Sequence, residues 1–105
     1  MDKTRIAIPN RRYSEIVPFT HDGIDYEGSI SFLQDGTPVE IFVEGAKAGT
    51  ATQSWSRDCA VAISFALQYG APIEKIREAL TRNDDSSPAG PLGALLDIVC
   101  AELPA

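Results

Sequence analysis

Apolar and polar residues alternate along the first half of this chain and recur at three- and four-residue spacing along the second. Ile24, Tyr26, Gly28, Ile30 and Phe32 fall on one side of an extended segment, with Asp25, Glu27, Ser29 and Ser31 on the other. That alternation predicts an antiparallel strand with one wet face. Val39, Ile41 and Val43 alternate in the same way with Glu40, Phe42 and Glu44. Glu15 to Thr20 reads as an earlier strand, and Pro18 puts it at an edge or a bulge, because proline has no N–H for a ladder. His21-Asp22-Gly23 and Asp35-Gly36 supply the tight turns. The result is an antiparallel meander of three to four strands with one apolar face that needs a cover.

The cover is predicted from Gly45 to Gly70. Thr50 and Gln53 form a capping box, in which the Thr50 hydroxyl accepts from the Gln53 N–H and the Gln53 side chain reaches back to Thr50. Trp55, Cys59, Ala62, Ile63, Ala66 and Leu67 then share one helical stripe. Val61 and Phe65 lie off that stripe, so the helix is expected to be buried on more than one side, with Trp55 packed in the core. Gly70 suits the left-handed residue past the helix end.

Two shorter helices follow. Pro72 to Thr81 carries a stripe of Ile73, Ile76, Ala79 and Leu80, with Glu74, Lys75, Arg77 and Glu78 in water. A polar loop spans 82–90. Pro91 opens the last helix, with Leu92, Leu95, Leu96 and Val99 facing inward and Pro104 ending it. The fold class is α+β: an antiparallel meander packed against a long central helix, followed by two shorter helices. Residues 1–12 read as a basic N-terminal arm and 13–103 as a single α+β domain.

The chain has 105 residues, 44% of them hydrophobic, enough for one core. It has no apolar run long enough for a membrane span and no leader-like stretch, which predicts a soluble, cytoplasmic protein without membrane partners. The net charge of −6 hides an asymmetry. Lys3, Arg5, Arg11 and Arg12 against Asp2 give the arm +3, and the remainder carries −9. An acidic body repels nucleic acid at long range. Arg5, Arg11 and Arg12 are therefore candidates for contact with a partner or a nucleic acid, set against an arm that folds back on its own acidic body.

Cys59 and Cys100 both sit in helical apolar patterns and read as structural thiols. His21 is the single histidine, so neither a metal site nor a nucleophile–base pair is legible, and no cofactor is expected. Arg57 and Asp58 read as an exposed charge pair. The loop before the long helix is a candidate anion or ligand site, with Lys47, Gly49 and Thr50 at a helix N-terminus. The plain alternative is a glycine-hinged connection.

Four stretches carry a family resemblance: Pro9-Asn-Arg-Arg12, Asp35-Gly-Thr-Pro-Val-Glu-Ile-Phe42, Ala46-Lys-Ala-Gly-Thr50 and Ala62-Ile-Ser-Phe-Ala-Leu-Gln-Tyr-Gly-Ala-Pro-Ile73. Together they resemble the TSCPD-type C-terminal domain of adenosylcobalamin-dependent (class II) ribonucleotide reductases, over about residues 9–82. The Thr-Ser-Cys-Pro-Asp string itself is absent, and Gln53 to Asp58 stand in its region.

The resemblance implies a domain of deoxyribonucleotide synthesis whose catalytic cysteines and cobalamin site lie in a separate large barrel. It therefore implies a stand-alone, non-catalytic accessory or interaction module, with a ribonucleotide reductase chain as partner or with self-association into a homodimer. A nucleotide or anion sensor at Lys47, Gly49 and Thr50, and a nucleic-acid-binding protein using the arm, are the alternatives.

Overall fold

The computed structural model describes residues 4–8, 13–46 and 49–103. Lys47, Arg11, Arg12 and Pro104, each singled out in the sequence, lie outside the described residues. Three strands, β1 (Tyr13–His21), β2 (Ile24–Phe32) and β3 (Pro38–Glu44), form one antiparallel sheet in the order β1-β2-β3. Three helices follow: α1 (Ala51–Gln68), α2 (Ile73–Ala79) and α3 (Pro91–Glu102). This is the expected α+β meander, with three strands. Pro18 lies in an edge strand, where its missing N–H leaves no gap between two neighbours.

The turns follow their chemistry. Asp22 (φ 49°) and Gly23 (φ 76°) are both left-handed, as a two-residue hairpin that matches strand twist requires. Ser31 pairs with Glu40 and Phe32 with Pro38, so Val39 is the extra residue of a bulge. The inner face carries Tyr26, Ile30, Phe32, Ile41 and Val43, all buried. Phe19 stacks on Tyr26 across the β1–β2 pair at 5.3 Å between ring centroids. The outer face carries Ile16 and Phe42 in one row across Ser29, with Asp25, Glu27, Glu40 and Glu44 around them.

α1 lies along the free edge of β3, and two polar side chains hold it there. Ser64 Oγ accepts from the Ile41 N–H at 2.9 Å and donates to the Ile41 C=O at 3.1 Å. Gln68 Nε2 donates to the Val39 C=O at 2.9 Å. An edge strand otherwise presents unpaired backbone groups. Here helix side chains occupy the place a fourth strand would take.

These contacts rotate the helix away from its expected phase. The buried positions are Ser56, Ala60, Ile63, Ser64, Leu67 and Gln68. Trp55 is 72% exposed, and Val61, Phe65 and Tyr69 also face outward. The expectation that Trp55 packs in the core is thus overturned, as is burial of the helix on more than one side. Hydrophobic periodicity assigns serine and glutamine to water, but the β3 backbone takes them inward.

The C-terminus of α1 closes as expected. Gly70 has φ 96°, its N–H reaches the Leu67 C=O at 3.0 Å, and the Ala71 N–H reaches the Ala66 C=O at 3.0 Å. α2 is shorter than expected and exposes Ala79. α3 seats Leu92, Leu95, Leu96 and Val99 in the core, and Leu95 reaches the sheet over Gly28. Asp97 accepts from Arg77 Nε at 2.8 Å and from Arg82 Nη1 at 2.8 Å, tying α2 and the following loop to α3.

Candidate functional site

Four regions among the described residues are candidates for binding or chemistry. The first is the start of α1. Gly49 is left-handed (φ 80°), and Thr50 Oγ1 accepts from the Gln53 N–H at 3.2 Å. Gln53 Oε1 reaches back to the Gly49 N–H at 2.9 Å, one residue earlier than the expected Thr50. The box therefore engages two of the N–H groups that an anion would need at this end. Gly49 and Thr50 are brought together here, and Lys47 falls outside the described residues.

The second region is the outward face of α1. Val61, Phe65 and Tyr69 line it at helical spacing, each about half exposed. Arg5 lies over the Phe65 ring at 4.2 Å and donates through Nε to Gln68 Oε1. The Ile6 N–H donates to the Gln68 C=O at 2.7 Å. Arg5 is thus placed on the protein's own helix, apart from Gly49 and Thr50 at the helix's other end. Arg57 pairs with Glu44 of β3 at 3.2 Å, in place of the expected partner Asp58.

The third region is a cleft of about 410 Å³ between the β1–β2 turn, the first half of α1 and the start of α3. His21, Tyr26, Trp55, Ser56, Cys59 and Leu92 are among its lining residues. Sequence reading did not find it, because its walls come from three separated stretches and Trp55 was assigned to the core. His21 Nε2 lies 3.3 Å from the Ala89 C=O and 3.4 Å from Asp22 Oδ2. Burial pushes the Cys59 thiol pKa up, which keeps it protonated at neutral pH. Cys100 is also raised, by burial first and then by the charge of Glu74. Both shifts favour the neutral thiol over the thiolate that nucleophilic chemistry requires. The arrangement is suited to binding.

The fourth is an open groove of about 1230 Å³, floored by Phe32, Leu67, Ile73 and Val99 and rimmed by Glu15, Asp35, Glu74 and Glu102. Its walls include Tyr13 and Leu103, each next to residues outside the described set. Among the described residues, no group of three or more His, Cys, Asp or Glu side chains is placed to hold a metal ion. No helix among them is long and apolar enough to cross a membrane.

The TSCPD domain family matches residues 6–103. The vitamin B12-dependent ribonucleotide reductase of Agrobacterium fabrum is 35% identical over 81 residues, which are 77% of this chain and 6% of that protein. The enzyme of the same description from Bradyrhizobium diazoefficiens is 40% identical over 58 residues, 55% of this chain and 4% of that protein. The match therefore spans a small part of the length of these relatives. No solved structure matches this chain.

Proposed function

The chain belongs to the TSCPD domain family, and from that premise we propose that it acts as a non-catalytic accessory module that docks onto a ribonucleotide reductase chain. The observation that carries this reading is the outward face of α1, where Val61, Phe65 and Tyr69 form an apolar stripe at helical spacing. Scattered surface hydrophobics need no explanation, but a row of large ones on one helix face suits a partner. Aromatic rings flanked by an arginine are the residue types that dominate binding energy at interfaces. The protonated thiols, and the binding of His21 Nε2 to a backbone carbonyl, support a role outside the chemistry.

The test is surface plasmon resonance of the purified chain against a vitamin B12-dependent ribonucleotide reductase truncated to remove its own TSCPD region. Saturable binding, weakened at least tenfold by Phe65→Asp (about 1.4 kcal/mol or more), is the expected result. No binding to the truncated enzyme, or equal binding by the Phe65→Asp variant, overturns the reading. A second copy of the chain is the competing occupant of the stripe. A dimer mass in light scattering that Phe65→Asp converts to a monomer, without reductase binding, favours that occupant.

A further inference from the structure

The open groove between the start of β1, the β2–β3 turn and the ends of α1 and α3 has an apolar floor of Phe32, Leu67, Ile73 and Val99. Its rim carries Glu15, Asp35, Glu74 and Glu102, and no lysine or arginine is among its described lining residues. The described cations are engaged elsewhere: Arg5 with Phe65 and Gln68, Arg57 with Glu44, Lys75 with Glu78, and Arg77 and Arg82 with Asp97. Among the described residues, none of the four rim carboxylates has an ion-pair partner.

The backbone adds to this charge. The C-terminal ends of α1 and α3 both reach the groove, through Leu67 and Gly70 in one case and Val99 and Glu102 in the other. A helix C-terminus carries the equivalent of roughly half a negative charge and is matched best by a cation. Neither helix has a basic residue in its last turn, and α3 ends on Glu102, where a carboxylate is unfavourable. Tyr13 completes the wall. Its ring is 62% exposed and tilts against Phe32 at 6.1 Å between centroids, and its hydroxyl donates to Glu15 Oε1 at 2.9 Å. A ring held beside a carboxylate suits a guanidinium, which stacks on the one and donates to the other.

We propose that this groove docks an extended segment of a partner protein in which arginine or lysine alternates with apolar residues. Successive side chains of an extended segment point opposite ways, so one row meets the floor and the other is free to reach the rim. The volume of about 1230 Å³ exceeds the range of small-molecule clefts, about 300 to 1,000 Å³, and suits a length of chain. The folded body of a second copy carries −9 and is repelled. Val61, Phe65 and Tyr69 do not line the groove, so this inference goes beyond the reductase reading and stands without it.

The test is fluorescence anisotropy of the full chain with a fluorescein-labelled peptide of alternating arginine and leucine, about eight residues and roughly 26 Å long when extended. Saturable binding with a Kd below about 100 µM at low salt, weakened at least about fivefold when the salt is raised to about 0.3 M, is the expected result. A peptide with glycine for leucine should bind at least about threefold more weakly, and one with glutamate for arginine should not bind. Glu74→Gln with Glu102→Gln should weaken binding at least about fivefold. Glu27→Gln with Asp58→Asn removes the same charge from exposed positions outside the groove and should change it by less than about twofold. Phe65→Asp should also leave it within about twofold, whatever it does to reductase binding. Glu102→Gln alone should keep or raise the thermal midpoint.

No saturable binding by the wild type overturns the proposal. Equal weakening by the two double variants overturns it by assigning the effect to overall acidity, and equal binding of the glycine peptide does so by marking a plain polycation site. A clear fall in midpoint for Glu102→Gln overturns the premise that the fold leaves this carboxylate unmatched. Binding that emerges only when Arg11→Gln and Arg12→Gln are introduced assigns the groove to the chain's own basic arm, and that too overturns the proposal.

Discussion

The Ser64 hydroxyl meets both backbone groups of Ile41, accepting from its N–H at 2.9 Å and donating to its C=O at 3.1 Å. One side chain thus does for β3 what a neighbouring strand would do. Ser64→Ala leaves a buried donor and a buried acceptor without partners, and we expect a loss of about 2–4 kcal/mol in folding stability. The exposed Ser54→Ala on the same helix is the control and should change stability by less than about 0.5 kcal/mol. Urea denaturation of the three proteins measures both.

Leu95 packs directly over Gly28. A Cβ on Gly28 would lie 2.6 Å from Leu95 Cδ1 and 2.8 Å from Cδ2. Glycine in the middle of β2 is the cost of bringing α3 this close to the sheet. Gly28→Val should destabilise the fold by about 1–3 kcal/mol through overpacking. Adding Leu95→Ala should cost less in the Gly28→Val background than in the wild type, because the cavity and the added methyls offset each other. Equal costs in the two backgrounds would show that the two sites do not couple.

Much of this fold was legible because strand alternation and turn residues are local. Asp22-Gly23, Asp35-Gly36 and Gly70 sit where their backbone conformations require them. The phase of α1 was not legible from hydrophobicity. Ser64 and Gln68 belong to the stretch that most strongly resembles the family, yet their reason is a bond to strand backbone more than twenty residues away. That polar burial turned Trp55, Val61 and Phe65 outward. The candidate site shifted for the same reason. The N-terminus of α1 is capped by its own Gln53, whereas the cleft joins residues 21–26, 52–59 and 80–93, which no short motif links.

The acid limb of stability should run through Asp97. The guanidinium of Arg82, with Arg77 adding to it, lowers its pKa from 3.8 to about 2. A depressed carboxylate pKa adds stability above the unfolded value, and that stability is lost as pH falls through the folded value. The contribution is therefore complete above about pH 4–5 and disappears between about pH 4 and pH 2. Asp97→Asn should lose about 1–2 kcal/mol at pH 7. The gap between variant and wild type should narrow as pH drops through that window. Urea midpoints at a series of pH values read this directly, and a gap that does not change with pH would assign the loss to packing.

Arg5 and Phe65 make a prediction about the chain's first described residues. The guanidinium lies 4.2 Å from the ring centroid, and its Nε also reaches Gln68. The next residue, Ile6, donates its N–H to the Gln68 C=O at 2.7 Å. An exposed cation–π contact contributes about 0.5–1 kcal/mol, too little to govern the global fold. It is enough to govern a short segment held by few other bonds, because local opening is set by local contacts. Arg5→Ala should therefore raise hydrogen exchange at the Ile6 amide at least about twofold while Ile41 and Ile63 keep their protection. The thermal midpoint should fall by no more than a few degrees. If exchange at Ile6 stays at the wild-type rate, its bond to Gln68 holds the segment without Arg5. A general loss of protection across α1 would instead show that Arg5 supports the helix through Gln68, the residue that also holds β3.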